Sequence, residues 1–327
     1  MFTRVVPDIA KTYGLDVRAI GNVQKGYRNE SYKLTLADDK LVNLICFKRE
    51  HGIVDRIARA DAVSSHAAAA GLPVRIRYDE RILKLQENSY AGIYEYLPGV
   101  TVAWEAYTKK HLKLLGWAMS DLHTALQTMG ADSPHLLADE LASLNARMRR
   151  YFSDDNVVRA LREKLSITLS FDVFDTFEAL IVHSGRLDGK QYVHMDMVRG
   201  NVLFGGADTS DRWQLDDIAL TGIIDFEKTA YGLPVCDVAR TLAFLLVDCP
   251  KTRSDILNYF LNSGYRKRGT AKLENRELIA PFVRFFLVHD FYKFLRHTPY
   301  ESLENNHHYV RTRDILLEYG MISITDK

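Results

Sequence analysis

Apolar positions recur at two periods along the chain: alternation in the first third and helical spacing through most of the rest. Tyr32-Lys-Leu-Thr-Leu36 alternates apolar and polar residues, and Leu41-Val-Asn-Leu-Ile-Cys-Phe-Lys48 is a longer apolar run. Both read as strands, because side chains alternate faces along an extended backbone. Residues 16–23 add an earlier strand behind a short helix over 7–14 that Gly14 ends. The polar stretch Lys25–Ser31 and the pair Asp38-Asp39 make the turns of a three-strand antiparallel meander. A helix is predicted over Ile53–Ala70, with Gly71 at its C-cap and Pro73 just beyond. Arg75–Tyr78, Ile82–Leu85 and the run from Tyr90 read as further strands.

After residue 97 the pattern changes. Leu112, Leu115, Met119, Leu122 and Leu126 mark a long amphipathic helix over Thr108–Thr128. Helical stretches follow over Leu136–Tyr151 and Val157–Ile181, and later over Val238–Val247, Arg253–Leu261, Arg276–Arg296 and Asn305–Tyr319. The aromatics of Arg276–Arg296, among them Phe282, Phe285, Phe286 and Phe291, are expected in the core, with His289 and Asp290 within reach of a substrate mouth. No internal repeat or low-complexity linker separates the halves. The expectation is an α+β chain with an antiparallel-sheet lobe over 1–97 and a mainly helical lobe over 98–327.

Between the two blocks of helix lies the stretch with the clearest chemistry. Tyr192-Val-His-Met-Asp-Met-Val-Arg-Gly-Asn-Val-Leu-Phe204 holds His194, Asp196 and Asn201 at His-x-Asp-x-x-x-x-Asn spacing. That is the spacing of a kinase catalytic loop, in which the Asp accepts the acceptor hydroxyl proton and the Asn holds a metal ion. Short strands flank the loop at Tyr192-Val193 and Val202–Phe204. A second acid ends another apolar run, Gly222-Ile-Ile-Asp225-Phe-Glu227. Mg²⁺ takes hard oxygen ligands, one or two from protein and the rest from water and phosphate. Asn201 and Asp225 supply that number, which leaves Asp196 unligated to orient a nucleophile.

These stretches resemble the aminoglycoside phosphotransferase / choline kinase-like superfamily, whose members carry His-Gly-Asp-x-x-x-x-Asn, Ile-Asp-[Phe/Trp]-[Glu/Asp] and Pro-x-x-Asp-[Leu/Val]-Ala. The corresponding residues are His194-Met195-Asp196 with Asn201, Ile224-Asp225-Phe226-Glu227 and Pro234-Val-Cys-Asp237-Val-Ala239. Met195 departs from the usual Gly. The resemblance covers roughly residues 15–250. It implies a protein-kinase-like bilobal fold and phosphorylation of a small-molecule hydroxyl (an aminoglycoside, choline, homoserine or sugar) with ATP and Mg²⁺. It further implies a lobe hinge at Glu95-Tyr-Leu-Pro-Gly99, where backbone around Glu95–Leu97 meets the adenine. Asp237 would brace the catalytic loop, with Arg199 and Arg240 as candidate partners, and His123 would be structural.

The phosphate-binding lysine of a kinase stands two residues after a small residue under the adenine. Ile45-Cys46-Phe47-Lys48 reproduces that spacing, so Lys48 is the expected cation, ahead of Lys33, Lys40, Arg49 and Lys84. Its carboxylate partner is expected on the next helix, where the family has Glu and this chain has Asp55 and Asp61; Asp61, in the middle turns, is the choice. The first hairpin has one glycine, Gly26, and phosphate contacts are expected from Arg28–Ser31, Asn29 and Ser31 in particular.

Composition narrows the class. With 43 basic against 42 acidic residues the net charge is +1, which gives no footprint for nucleic acid. No run approaches the roughly 18 apolar residues that span a membrane, and the N-terminus lacks a signal-peptide layout. Cys46, Cys236 and Cys249 have no metal spacing, which points to a reducing cytoplasm. Two other readings stay open. One is a nucleotide-binding pseudokinase or scaffold, motivated by the glycine-poor loop and the missing helix Glu. The other is a Ser/Thr protein kinase, against which stands the short run from Asp225 to Asp237 without an Ala-Pro-Glu ending.

Overall fold

The computed structural model describes residues 4–26, 29–48, 50–85, 89–131, 134–206, 214–268 and 273–325. The chain opens with α1 (Val6–Thr12), then β1 (Val17–Ile20), β2 (Gln24–Lys25), β3 (Asn29–Leu36) and β4 (Leu41–Phe47). Helix α2 (Ile53–Ala69) leads to β5 (Leu83–Lys84) and β6 (Tyr90–Glu95). These strands form one antiparallel sheet in the order β1-β3-β4-β6-β5, with β2 on β3. Its two faces bury different partners. Tyr32, Leu34, Val42, Leu44, Cys46, Ala91 and Ile93 pack with Val6, Ile9 and Ala10 of α1, whereas Ile45, Phe47 and Tyr94 pack with Ile53 and Ile57 of α2.

That register corrects one expectation. Cys46 lies on the α1 face, and Asn43 and Ile45 are the β4 residues that line the cleft. Lys48 follows the end of β4, is exposed and is not among the cleft-lining residues. The spacing rule was placed one residue out of step, and one residue in a strand exchanges faces.

The remainder is mainly helical: α3 (Lys109–Leu126), α4 (Leu137–Phe152), α5 (Asp155–Leu165) and α6 (Val173–Arg186). Short strands interleave: β7 (Ile167–Leu169), β8 (Gln191–Val193), β9 (Val202–Gly205), β10 (Gln214–Leu215), β11 (Ile218–Ile223) and β12 (Ala230–Gly232). Next come α7 (Pro234–Asp248), α8 (Arg253–Ile256), a π-helical segment (Leu257–Tyr265) and α9 (Arg266–Arg268). Then α10 (Ile279–His297), α11 (Tyr300–Leu303), α12 (His307–Glu318) and β13 (Ile322–Ile324), which pairs with β7, end the fold. The stretch expected as one helix over Val157–Ile181 is two helices divided by β7, because Ser166 turns left-handed (φ 55°) at the end of α5.

Helix α3 is the axis of this half, with Leu112, Leu115, Met119, Leu122 and Leu126 all buried as the spacing predicted. Its closest neighbour is the π-helical segment, and glycine makes that approach possible. A Cβ on Gly116 would stand 2.2 Å from the Phe260 carbonyl oxygen. Gly116→Ala is therefore expected to destabilise the fold by about 1–3 kcal/mol, the usual range for overpacking, read as a lower urea midpoint at unchanged m-value.

Candidate functional site

A cleft of about 770 Å³ runs between the β3/β4 face of the sheet and the loops around β9 and β11. Asn29, Ser31, Glu95, Leu97, Asp196, Asn201 and Asp225 all line it, as do Lys25, Asn43, Arg75 and Lys228. Ser31 Oγ donates to Asn43 Oδ1 at 2.6 Å across the β3–β4 pair. Arg28 and Arg49 lie outside the described residues.

The loop after β8 is held from below by Asp237, in the first turn of α7. Its carboxylate accepts from His194 N at 2.8 Å and from Met195 N at 3.0 Å. His123 on α3 donates Nε2–H to the same carboxylate at 3.1 Å, while its Nδ1 accepts from the Tyr265 hydroxyl at 2.7 Å. Asp237 is fully buried. Burial alone would raise its pKa, but the hydrogen bond and field of His123, with the bonds at His194, outweigh it and hold the carboxyl below the usual range. Neither Arg199 nor Arg240 is the partner: Arg240 pairs bidentately with Asp290, at 2.9 and 3.1 Å. Lys293 also reaches Asp290, at 3.0 Å, so that acid is already committed.

This brace explains how Met195 stands where the family has Gly. Met195 has φ 61°, a left-handed conformation that costs an L-residue about 1–2 kcal/mol. Its N–H is one of the two that Asp237 fixes.

His194 ties the loop to the second acid. Its Nδ1 accepts from Asp196 N at 3.2 Å, so Nε2 carries the proton and donates to the Ile224 carbonyl at 3.2 Å. Burial depresses the pKa of this imidazole and keeps it neutral. Ile224 N in turn donates to the Asn201 carbonyl at 2.9 Å. Asp196, Asn201 and Asp225 are thus brought to one wall by backbone bonds. The Asn201 amide nitrogen donates to Asp196 O (2.9 Å) and Oδ2 (3.1 Å), which leaves its amide oxygen as the atom a cation could use.

Charge is concentrated here. Burial, followed by the field of Glu227, pushes the Asp225 carboxyl well up. Glu227 is buried too; its burial is outweighed by Arg75, whose Nη2 donates to Oε1 at 2.6 Å, and its pKa falls. Lys228 Nζ lies 2.7 Å from Asp196 Oδ1. Among the described residues no group of three or more His, Cys, Asp or Glu could hold a metal ion. One amide oxygen and one carboxylate that burial makes eager for a counter-cation do suit Mg²⁺, which draws its remaining ligands from water and phosphate.

The expected Lys48–Asp61 pair does not form: Asp61 is ion-paired with Arg77. Sequence reasoning also missed Arg75 and Lys228. Arg75 follows Gly71-Leu-Pro-Val74, and Val74 bridges to Ile223, two residues before Asp225. Lys228 ends the 3₁₀ turn Phe226–Lys228, which Asp225 directly precedes. A cation directly after the turn, and another three residues past Asp225, were the available signals.

The pH dependence follows from Asp237. Its folded pKa is depressed, so its contribution is complete above the usual carboxylate value of about 3.9 and fades as pH falls through the folded value. Asp237→Asn is expected to lose about 1.5–3 kcal/mol at pH 7, the worth of hydrogen bonds to a charged group. Its melting temperature should also fall less steeply than the wild type's between about pH 4 and 2, below the unfolded carboxylate value.

The phosphotransferase enzyme family model matches residues 20–270. No curated protein matches the chain by sequence. The fold is similar to amicoumacin kinase hAmiN, solved with AMP-PNP, Ca²⁺ and Ami (14% identity, 100% of this chain and 98% of that one, TM-score 0.68). It is also similar to the microcompartment-associated aminopropanol kinase (14%, 98% and 100%, TM-score 0.70). A third similar structure is macrolide 2'-phosphotransferase MphH from Brachybacterium faecium (14%, 95% and 98%, TM-score 0.58).

Proposed function

The chain belongs to the phosphotransferase enzyme family, and from that premise we propose that it moves the γ-phosphate of ATP onto a hydroxyl of a small molecule. The observation that carries this reading is the shared wall: Asp196, Asn201 and Asp225 line one cleft and are linked through His194 and Ile224. Asp196 orients the acceptor and takes its proton as the new oxygen–phosphorus bond forms and the bond to the β-phosphate oxygen breaks. Asn201 and Asp225 hold Mg²⁺, which when bound neutralises phosphate charge. Asn29 and Ser31 meet the phosphates from the sheet side. Glu95 N–H is given to Ile76 O at 2.9 Å, so adenine is met by the backbone just after it, at Tyr96 and Leu97. Phosphoryl transfer is mostly positioning and charge stabilisation, and this arrangement supplies both.

We place the lobe division after Leu97. No described helix is long and apolar enough to cross a membrane, and all three cysteines are free and buried; we assign the protein to the cytosol. A nucleotide-binding protein without turnover is the second reading, and the Lys228–Asp196 contact is what favours it.

One screen separates them: nucleotide consumption over amino alcohols, aminoglycosides, macrolides and sugars, where turnover with one acceptor class supports the enzyme. Against that acceptor, Asp196→Asn should lower kcat by about 10²–10⁴, the worth of a general base. Its affinity for Mg-AMP-PNP should stay within a few-fold of wild type. Unchanged turnover in this variant removes Asp196 from the mechanism. Asn201→Ala and Asp225→Ala should each raise the Mg²⁺ needed for half-maximal nucleotide binding by at least about 10-fold, as even outer-shell losses do.

A further inference from the structure

We infer that Arg75 is the phosphate-binding cation of this cleft, in place of the strand lysine that β4 does not provide. The inference deepens the reading above and depends on it.

The cleft face of β4 carries Asn43, Ile45 and Phe47, none of them charged. Lys48 stands outside the cleft. The helix acid that such a lysine would need, Asp61, is held by Arg77. The structure therefore has neither half of the expected pair where a polyphosphate would lie. It does have a guanidinium there. Arg75 enters from the segment that follows α2, where its N–H donates to Ile223 O at 3.1 Å. That bond fixes the side chain beside the metal acid.

The guanidinium is held on two sides, and its side chain is 7% exposed. Its Nη2 bonds Glu227 at 2.6 Å, and its plane stands 4.6 Å from the Tyr94 ring centroid. An arginine has five N–H donors in a planar fork. Among the described residues, Glu227 is the one side-chain acceptor this fork meets. Arg75 also lines the cleft, and its fork has donors beyond the one given to Glu227. Planar forks suit phosphate oxygens, and a ring beneath the plane keeps the fork in place.

Lys25 and Lys228 are the other described cations of the wall. Lys228 is spent on Asp196 and is 42% exposed; Lys25 sits at the exposed hairpin. Only Arg75 is both buried and adjacent to Asp225.

Removing one partner of a buried pair leaves the other charge uncompensated. The test therefore compares Glu227→Gln with the double variant Arg75→Met/Glu227→Gln, alongside Arg75→Lys and Lys48→Met. Binding of Mg-AMP-PNP and of adenosine is measured by calorimetry on the full chain. The double variant should bind Mg-AMP-PNP at least 30-fold more weakly than Glu227→Gln, with adenosine affinity unchanged within 2-fold. Arg75→Lys should lose 3- to 10-fold, and Lys48→Met nothing. A double variant matching Glu227→Gln would overturn the inference, because Arg75 would then serve only to pair Glu227. So would a loss in Lys48→Met as large as in the double variant. If the double variant does not fold, Arg75→Lys decides: an unchanged Mg-AMP-PNP affinity overturns the inference and the stated loss supports it. Wild-type protein that binds neither ligand defeats the nucleotide reading itself, a result distinct from all of these.

Discussion

A single buried carboxylate holds the loop of His194 and Asp196 in place. Asp237 has no contact with solvent, yet its pKa is held low because it has donors around it: two consecutive backbone N–H groups of the loop after β8 and the His123 ring. Charge-assisted bonds of this kind are about twice as strong as neutral ones. They fix a loop that contains a left-handed methionine, a conformation the backbone would otherwise leave. Tyr265, from the π-helical segment, sets the tautomer of His123. The packing of α3 on that segment, with Gly116 at their contact, thus reaches the loop through one histidine.

The cleft floor poses a second electrostatic problem. Asp196, Asp225 and Glu227 gather there, and buried like charges raise each other's pKa. The fold answers with Arg75 on Glu227 and Lys228 on Asp196. Among the described residues Asp225 is the acid of the three without an ion pair of its own, and burial with the field of Glu227 raises its pKa. An acid of this kind beside an amide oxygen has the donor chemistry of a hard divalent ion, and at the proposed metal site ion binding and proton loss at Asp225 would be linked.

The comparison of sheet and cleft shows why charge assignments were harder to read than motifs. Asp196, Asn201 and Asp225 lie within short stretches whose spacing is local, so their grouping follows from a few residues of strand and turn. Asn29 and Ser31 sit on the cleft because they pair with Phe47 and Ile45 of β4, and Glu95 and Leu97 because β6, the next strand, ends there. Lys48 and Asp61 needed more: the register of β4 against two different helices, and the course of the chain after α2. A shift of one residue placed Cys46 and Lys48 on the wrong side, and a run apolar on both faces offers no alternation to reveal it.

Alone, the sequence determined the α+β order of elements, the helical axis at 109–126 and the short stretches that bring Asp196, Asn201 and Asp225 to one cleft, because each depends on contacts within one turn or one strand. The tertiary structure decided which cations line the cleft, which acid Arg77 neutralises and that Arg240 belongs to Asp290 rather than to the loop. Ion pairs form between whichever opposite charges packing brings within a few ångströms, and separations of 50 to 152 residues, as for Arg240–Asp290 and Arg75–Glu227, leave no periodic trace in the chain.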